Sequence, residues 1–569
     1  MSVRGTIAIL ARVATILGIN QVAGLLTGQH DAAAAIIKDG VLIATVEEER
    51  LNRQRHSKGY PHQAVQYCLK AAGVSEKDID VIAIGYNPYA ILERLFFFLS
   101  AWSMFNYALA FWIYRYGVRD LLKKSGAKLM YVDHHLAHAA TAYRCANFGD
   151  ANVLTIDGAG ETECAALYEG KNGRLKRLAD IPIAKWYDVK PWRSIGKCYT
   201  RMTDFLLLGA HGEGKLMGLA SYGNPRFDMS QILDVQSFSK WTIDRRKISE
   251  RYGGFRRTDP KSELTQDHKD LAASLQDALE KAVVNLGRDA YQRTGLRRFA
   301  LSGGVSLNCN ANSRLLAQDF CDAIFVQPAS HDGGIALGAA LEAMHRVGDG
   351  DFVQGFTNAY WGPGYTNAEI EKVLKEAKAP YRKSENVAAD TAKLVAEGRI
   401  IGWFQGRSEL GPRALGNRSI ITNCQIKGMN DKVNVEVKHR EVWRPFAPSV
   451  TKEDAPKYFE GMEKSPDSPF MLQTFYVRPE YREVFPAITH IDGSSRIQTV
   501  TEKDNPRFHA LLREMQKLTG HPVVMNTSFN DAGEPIVQSP KDALRCFYAT
   551  GFDVLAIGDF IIEKAHVRA

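Results

Sequence analysis

Short hydrophobic runs alternate with glycine-bounded turns and polar segments along most of the chain. Between residues 14 and 345 the strand-like runs include ILGI, AAAIIKDGVLIATV, VIAIGY, ANVLTIDG, FALSGG and AIFVQP. Apolar runs of this length bounded by turns predict buried strands, and we interpret the stretches between them as helices. The alternation predicts an α/β fold whose first strand is Ala14–Ile19.

One pattern occurs twice in this part of the chain. HDAAAAIIKDGVLIAT and DGAGETECAALYEG each place an acidic or glycine turn before a hairpin. Actin-like and sugar-kinase-like folds are built by such a duplication, so we expect two related halves. The glycine-rich stretch Gly348–Thr366 is the best linker candidate. After it, residues 367–569 predict a second α/β unit, with the runs IIGWFQG, SIITN, APSV, PVVMNTSFN and VLAIGDFIIEK.

Composition and charge narrow the class of protein. A chain of 569 residues allows roughly two to four domains. The net charge of +8 suits small anionic substrates, and without a basic cluster it gives no sign of nucleic-acid binding. The eight cysteines are scattered and contain no Cys-x2-Cys pair, which favours free thiols in a reducing compartment. We therefore expect a cytoplasmic protein.

Two apolar segments bear on membrane association. The N-terminal stretch is interrupted by Arg12 and has no clear cleavage site, which argues against a signal peptide. Leu95–Tyr114 has no charged residue and is long enough to span a bilayer. A span would separate His30 from His134, so we prefer a buried or substrate-facing helix, with a membrane-surface helix second. A homodimer interface in this segment also stays open.

The sequence HHLAH at residues 134–138 predicts a metal site. His134 and His138 are four residues apart, so on a helix both imidazoles lie on one face. Asp157 follows a strand-like run, beside Gly158 and Gly160, which let a ligand approach the backbone. Two histidines and a carboxylate form a ligand set for a catalytic divalent metal, and Asp332 would supply a fourth ligand. Two capped helix histidines are the alternative.

The C-terminal unit carries the second dense motif, GRSELGPRALGNRSI at residues 406–420. Arginine binds phosphate or carboxyl groups bidentately, and glycines let the backbone approach them. Further polar and basic elements follow at 438–440, 444–446, 494–498 and 526–530. A solvated basic face is the alternative, but these residues stand beside glycines, prolines and strand ends. They predict an anion site for a nucleotide or acyl phosphate.

Several longer motifs resemble those of NodU-type O-carbamoyltransferases, a family that includes antibiotic carbamoyltransferases such as the tobramycin enzyme. They are HDAAAA, EEERLNRQRH, DHHLAHA, IDGAGE, GEGKLMGLASYG and LSGGVSLN, followed by GRSELGPRALGNRSI, KHREVWRPFAPSV and MNTSFNDAGEPIV. The resemblance runs from about Gly18 to the end of the chain. It leaves out the first residues and Leu95–Tyr114.

The resemblance implies two domains with separate tasks. Residues 1–355 would form an actin-like domain, similar to threonylcarbamoyl-transfer proteins, that binds metal and nucleotide. Residues 366–569 would form a YrdC-like α/β domain that makes carbamoyl-adenylate from carbamoyl phosphate and ATP, with Mg²⁺ accompanying ATP. The first domain would then transfer the carbamoyl group to a hydroxyl of a natural-product or glycan acceptor.

The resemblance also implies roles for single residues. His30, with its tautomer fixed by Asp31, would be the general base for the acceptor hydroxyl. The divalent metal, Fe²⁺ in this family, would be held by His134, His138, Asp157 and Asp332. The nucleotide would be lined by Gly158, Gly160, Gly303, Gly304 and Asn308. The phosphates of carbamoyl phosphate and ATP would be bound by Arg413, Arg418, Lys438, Arg444, Arg496, Asn526 and Ser528.

Some alternatives stay open at this point. Glu47, Glu48 and Arg50 are either ion-pairing residues or acceptor contacts, and Lys215 is either a phosphate contact or a solvated lysine. An actin-fold metabolite kinase would share the Asp-Gly strand ends but would need neither the Arg-rich unit nor the paired histidines. A tRNA threonylcarbamoyl-transfer enzyme would need a basic surface, for which a charge of +8 is thin support. The apolar segment Leu95–Tyr114 predicts an acceptor with a substantial apolar portion.

Overall fold

Two five-stranded sheets organise the N-terminal unit, residues 14–348, in a computed structural model that describes residues 14–20, 30–89, 118–183, 193–348 and 355–564. The first sheet contains β1 (Thr15–Asn20), β2 (Ala33–Lys38), β3 (Val41–Glu47), β4 (Val81–Ile84) and β5 (Lys128–Tyr131). The next strands are β6 (Ala151–Ile156), β7 (Glu163–Lys171), β8 (Arg174–Pro182), β9 (Leu233–Val235), β10 (Trp241–Ile243), β11 (Arg298–Ser302) and β12 (Ala323–Val326).

The two sheets have the same topology. Their strand orders are β3-β2-β1-β4-β5 and β12-β11-β6-β7-β8, and β9 and β10 form a separate hairpin. In each sheet the first strand, β1 or β6, is antiparallel to the strand that follows it in the chain. On its other side each is parallel to a later strand, β4 or β11. The predicted duplication and the predicted first strand are therefore confirmed.

Helices cover both faces of these sheets, which is why strands such as β1, β4 and β6 are buried along their whole length. The helices are α1 (Glu48–Asn52), α2 (His62–Ala72), α3 (Arg119–Ser125), α4 (His134–Ala146), α5 (Ile195–Phe205), α6 (Glu213–Ala220), α7 (Lys247–Tyr252), α8 (Gln266–Thr294), α9 (Cys309–Leu316) and α10 (Ile335–Val347).

The helices α4 and α10 pack against each other between the two sheets. α10 lies on β1 and β2, and α4 lies on β6 and β11. The contact is so close that a Cβ atom on Gly338 would lie 1.9 Å from the carbonyl oxygen of Ala137. Glycine is therefore required at this point of α10. The core residues of both sheets join there into one hydrophobic cluster.

An eight-stranded mixed sheet organises the C-terminal unit, residues 355–564. Its order is β13-β23-β22-β14-β15-β21-β16-β20, beside a small sheet β17-β18-β19. The strands are β13 (Arg382–Lys383), β14 (Ile401–Phe404), β15 (Arg418–Thr422), β16 (Ala447–Thr451), β17 (Phe459–Glu460), β18 (Phe475–Val477), β19 (Ser494–Ser495), β20 (Gln498–Val500), β21 (Val523–Ser528), β22 (Val554–Ile557) and β23 (Phe560–Glu563).

Seven helices complete this unit. They are α11 (Asn367–Glu376), α12 (Val387–Ala396), α13 (Met429–Glu436), α14 (Ala455–Tyr458), α15 (Pro479–Arg482), α16 (Pro506–Thr519) and α17 (Pro540–Ala549). The prediction of a second α/β unit is confirmed, and the likeness to YrdC domains stays a prediction, as do the domain bounds 1–355 and 366–569.

Other predictions concern thiols and membranes. All eight cysteines are free and buried, as the scattered spacing indicated. Within the described ranges, no helix is both long enough and apolar enough to cross a membrane. Leu95–Tyr114 lies outside the described residues, and so does most of the N-terminal stretch before β1.

Candidate active site

The four predicted metal ligands lie together at the centre of the N-terminal unit. His134 and His138 occupy one face of α4, Asp157 follows β6, and Asp332 follows β12. Nε2 of His134 is 3.0 Å from Oδ2 of Asp157, and Nε2 of His138 is 3.8 Å from Oδ1 of Asp332. β6, β11 and β12 are parallel to one another, so the carboxyl ends that carry both aspartates meet at one edge of the sheet.

The hydrogen bonds around this group hold each histidine in place. Nδ1 of His138 is 3.0 Å from the hydroxyl of Ser302, which leaves Nε2 directed at the aspartates. The backbone N–H of His134 donates to the carboxylate of Glu161. Burial by itself lowers the pKa of His134, but the hydrogen bond with Asp157 and the charge of Asp332 outweigh it and raise this pKa to about 9.

The arrangement suits a divalent metal ion. One ligand atom from each of the four residues lies within 4.8 Å of all the others. Nε2 of His138 is buried and has no hydrogen-bond partner. A buried nitrogen without a partner costs free energy, and a metal would satisfy it. Two imidazoles and two carboxylates are a donor set for first-row transition metals such as iron, manganese or zinc.

His30 and Asp31 lie directly beside this group. The backbone N–H of His30 is 3.3 Å from Oδ2 of Asp332. Nδ1 of His30 is 2.6 Å from Oδ2 of Asp31, as expected for a carboxylate that fixes the tautomer. Burial lowers the pKa of His30, but the hydrogen bond with Asp31 and the charge of Asp332 raise it to about 9.

The predicted nucleotide residues form two turns at the same sheet edge. The backbone N–H of Gly304 donates to Oδ1 of Asp157 at 2.9 Å, so this turn is bonded to one of the four predicted ligands. Gly303 has a φ of 89°, which favours glycine. Gly158 and Gly160 belong to the turn after β6. The side chain of Asn308 caps α9 through Ala311 and also bonds Gln276, so it acts in the described structure as a capping residue.

Four arginines of the C-terminal unit form a positive cluster. Burial and the charge of Arg496 lower the pKa of Arg413 to about 9, while burial and the charge of Arg444 lower the pKa of Arg440 to about 9. Nε of Arg413 and Nε of Arg496 are buried without hydrogen-bond partners. A nearby carboxylate, Glu441, is 3.9 Å from Arg444. Because these buried positive charges repel one another, a bound anion would stabilise the cluster.

Lys438 and the strand β21 adjoin this cluster. Nζ of Lys438 donates to the carbonyl oxygen of Ser528 at 2.8 Å and to Oδ1 of Asn530 at 2.7 Å. Burial and the charge of Arg440 lower the pKa of Lys438 well below its usual range. Asn526 donates through Nδ2 to Ser449 and keeps its Oδ1 buried without a partner.

Arg418 is not part of the positive cluster. It opens the fully buried strand β15, and its guanidinium lies 3.7 Å from the ring centroid of Phe404. Its terminal nitrogens donate to the backbone carbonyl oxygens of Gln405, Asn417, Pro363 and Gly406. These bonds occupy the fork that a phosphate would need, so Arg418 supports the loop around Arg413 from inside.

The two units meet at the predicted sites. Cys309 begins α9. Burial raises the pKa of its thiol, and the positive charges of Arg496 and Arg413 are near enough to oppose that rise. Cys309 directly follows the turn at residues 303–308. The positive cluster of one unit therefore adjoins the nucleotide turn of the other.

Residues of the EEERLNR and GEGK motifs hold this seam. Glu47 accepts a hydrogen bond from the backbone N–H of Gly411 at 3.0 Å, and Arg50 donates to the carbonyl oxygen of the same glycine. Arg53 donates to the carbonyl oxygens of Ile536 and Pro535 at 2.6 and 2.7 Å. Lys215 pairs with Glu441 at 2.9 Å. These residues act as links between the units.

Sequence reasoning missed several members of the site. His56 bonds Asp31 through Nδ1 at 2.8 Å, and the ring of His211 stacks on His56. Arg440 was seen only as part of a basic element, and it belongs to the positive cluster. Lys197 lies against the turn at Gly158, where a Cβ would be 3.4 Å from its Nζ. His56 stands in a motif that had been recognised, whereas Lys197 and His211 carried no local signal.

Two family models match most of the chain. The family model described as "Carbamoyltransferase N-terminus" matches residues 21–341, and "Carbamoyltransferase C-terminus" matches residues 392–564. Among solved structures, full-length HypF in its phosphate- and nucleotide-bound form is 14% identical, with a TM-score of 0.35, over 60% of this chain and 56% of that one. That likeness is too distant to bear on function.

Curated relatives extend over nearly the whole chain. The uncharacterised protein sll1178 of Synechocystis is 37% identical over 95% of this chain and 96% of its own. The nodulation protein NolNO of Sinorhizobium fredii is 38% identical over 95% of this chain and 79% of its own. The nodulation protein U of Rhizobium tropici is 28% identical over 88% of this chain and 89% of its own. With both family models matched in order, the chain belongs to the carbamoyltransferase family.

Proposed function

We propose that the protein is an ATP-dependent O-carbamoyltransferase with two linked sites. The C-terminal unit makes carbamoyl-adenylate from carbamoyl phosphate and ATP, and the N-terminal unit transfers the carbamoyl group to an acceptor hydroxyl. The observation that carries the proposal is the cluster of Arg413, Arg440, Arg444 and Arg496. Its positive charges are mutually repulsive and incompletely paired, and they adjoin the turn at Gly303 and Gly304 in the other unit.

The chemistry divides naturally between these sites. One molecule each of ATP, carbamoyl phosphate, water and acceptor gives AMP, pyrophosphate, phosphate and the carbamoylated acceptor. The arginines and Lys438 would bind the phosphate groups and offset the negative charge that builds up as pyrophosphate leaves. Asn526, through its free Oδ1, would accept a hydrogen bond from the carbamoyl nitrogen.

Transfer would take place beside α4. The acceptor oxygen forms the new bond to the carbamoyl carbon while the bond to the AMP oxygen breaks. A divalent metal held by His134, His138, Asp157 and Asp332 would supply positive charge to the phosphate of the departing AMP. Gly304 would present its turn to the nucleotide, and the acceptor hydroxyl would be activated at His30 and Asp31.

One experiment separates this function from the two alternatives. The protein is incubated with ATP and labelled carbamoyl phosphate in the absence of acceptor. Pyrophosphate together with labelled carbamoyl-adenylate is the expected result. Formation of ADP would instead indicate a kinase, and labelled product only with threonine and tRNA would indicate a threonylcarbamoyl-transfer enzyme. Neither alternative is favoured by the family to which the chain belongs.

The acceptor is proposed to carry a substantial apolar portion, because Leu95–Tyr114 contains many aromatic residues and no charge. We expect replacement of Phe97, Phe98 and Trp102 by serine to raise the acceptor KM and to leave adenylate formation unchanged. Loss of a homodimer with an unaltered KM would assign the segment to a subunit interface instead.

A further inference from the structure

A second group of metal-binding side chains lies next to the first. Both carboxylate oxygens of Asp31 contact histidines: Oδ2 is 2.6 Å from Nδ1 of His30, and Oδ1 is 2.8 Å from Nδ1 of His56. One ligand atom from each of the three residues lies within 4.8 Å of the others. The backbone N–H of His30 contacts Asp332, so this group and the four-ligand group adjoin each other.

A third histidine completes one side of the group. The ring of His211 stacks on that of His56 with centroids 3.6 Å apart, and its centroid is 5.1 Å from that of His30. His211 is exposed, whereas Asp31 is buried, so the group opens towards solvent on the histidine side. Nε2 of His56 is buried and has no hydrogen-bond partner.

The backbone of the group is held at an energetic cost. Asp31, His56 and His211 have φ values of 66°, 53° and 54°, in the left-handed region that L-residues seldom adopt. Such strain persists where the surrounding structure imposes it, and it concentrates at functional sites. Orientation of a single histidine base requires one carboxylate and one imidazole. The protein instead places two imidazoles, His30 and His56, directly on the carboxylate of Asp31. His211 stacks on His56, and Nε2 of His331 is 3.8 Å from Oδ2 of Asp31.

We propose that His30, Asp31 and His56 bind a second divalent transition-metal ion, with His211 on its open side. Two imidazoles and one carboxylate are a donor set for iron, manganese, cobalt or zinc, and they leave coordination positions free. The inference rests on the proposed function, because this is where the acceptor hydroxyl is activated. A cation here would supply charge to the acceptor oxygen. A histidine that binds the cation through Nδ1 cannot also act as a free base, so the two roles of His30 exclude each other.

Metal stoichiometry tests the site without any substrate. The full-length protein is stripped with a chelator and titrated with Co²⁺, followed by visible absorption and by metal analysis after gel filtration. We expect two ions per chain in the natural protein, one in His56→Asn and one in His138→Ala. His62→Asn, which alters an exposed histidine at the start of α2, serves as the matched control and should bind two. Only one ion in the natural protein, or two in a folded His56→Asn variant, would overturn the proposal.

An activity measurement then tests the role of the second ion. Transfer from synthetic carbamoyl-adenylate is followed as the stripped protein receives one and then two equivalents of metal. If the second site works as proposed, the second equivalent raises the rate at least tenfold. A rate that falls with the second equivalent would mean that His30 acts as a free base and that metal binding there is inhibitory. Absence of carbamoyl-adenylate synthesis would contradict the proposed function, while the stoichiometry would stand on its own.

Discussion

The carboxylate of Glu47 accepts a hydrogen bond of 3.0 Å from the backbone N–H of Gly411. This bond joins the end of β3 to the loop that carries Arg413. Arg50 contacts the carbonyl oxygen of the same glycine, so both backbone groups of Gly411 are held by the N-terminal unit. Arg50 is almost fully buried, and its charge is balanced by Glu47. The loop that carries Arg413 of the positive cluster is therefore held from outside its own unit.

We expect Arg53→Ala to weaken adenylate formation although Arg53 contacts no proposed substrate group. The change removes hydrogen bonds to Ile536 and Pro535, which follow the β21 tip that contacts Lys438. Charge-assisted hydrogen bonds contribute about 1.5–3 kcal/mol each, and partial exposure places these at the low end. Pyrophosphate release and the thermal unfolding midpoint should both fall. Arg545→Ala, which removes an exposed pair with Glu534, should change neither.

His138→Ala should empty the four-ligand metal site and separate the two half-reactions. The variant lacks the imidazole whose Nε2 is buried without a partner, and Ser302 loses its contact with Nδ1. We expect metal content to fall by one ion per chain, acceptor carbamoylation to disappear, and pyrophosphate release with carbamoyl phosphate to persist. Full metal occupancy in the purified variant would show that His138 is not a ligand.

Arg496→Met should strongly slow carbamoyl-adenylate formation. The substitution keeps an unbranched side chain without a charge and removes the guanidinium from the buried cluster. Loss of one charge-assisted contact of about 1.5–3 kcal/mol lowers the rate roughly ten- to one-hundredfold. Lys438→Met should behave in the same way.

Synthetic carbamoyl-adenylate supplies the control for both variants. Because the transfer site lies in the other unit, adding this intermediate should restore acceptor carbamoylation. Variants that remain inactive with it would show that the residues are structural or that the two-site scheme is wrong.

His135 should make the metal-free protein sensitive to acid. Its Nδ1 is 2.7 Å from the hydroxyl of Thr155 and its Nε2 is 3.1 Å from the carbonyl oxygen of Glu163, an arrangement that fits a neutral ring. Burial lowers the pKa of His135 to about 3. In the unfolded chain His135 binds a proton below about pH 6.5, whereas in the folded protein its ring stays neutral until the pH approaches 3. The free energy of unfolding therefore keeps its full value above pH 6.5 and decreases as the pH falls from 6.5 towards 3.

The expected slope is up to about 1.4 kcal/mol per pH unit from this one group. Because other groups titrate in the same range, the comparison is with His135→Gln, whose amide can donate to Glu163 and accept from Thr155. Urea unfolding between pH 7 and 4 should show the natural protein losing stability faster than the variant. If the free energies of unfolding of the two proteins changed equally with pH, His135 would be protonated in the folded protein, either in place or after local opening of the structure around it.

The four grouped side chains of the N-terminal unit could be predicted because each carries a local signal. His134 and His138 show helical spacing, and Asp157 and Asp332 follow strand-like runs whose carboxyl ends meet in a parallel sheet. The duplicated sheets were visible for the same reason, since each half repeats its strand and turn pattern. Spacing and turn patterns of this kind can be recognised in the sequence without knowledge of tertiary contacts.

The arginines show where such reasoning ends. Arg413 and Arg418 stand in one motif, but Arg418 begins a strand buried throughout and binds backbone carbonyls. Nothing in the local pattern shows which arginine points into the core. His56 was missed as a partner of Asp31, and His211 as the ring stacked on His56, because these residues come from loops apart in the chain. Their pairing is a property of the folded protein only.

The position of α4 depends on the absence of a Cβ atom at Gly338. Gly338 lets α10 lie with its backbone against Ala137, the residue before His138. With no side chain between them, α4 cannot shift past α10 without a clash of main-chain atoms. The two histidines are therefore carried on a helix whose position is fixed by its main-chain contact with α10. A methyl group added at residue 338 would push α4 away from α10 and so displace the imidazoles of His134 and His138 together, although residue 338 is in contact with the backbone of Ala137 and not with either ring.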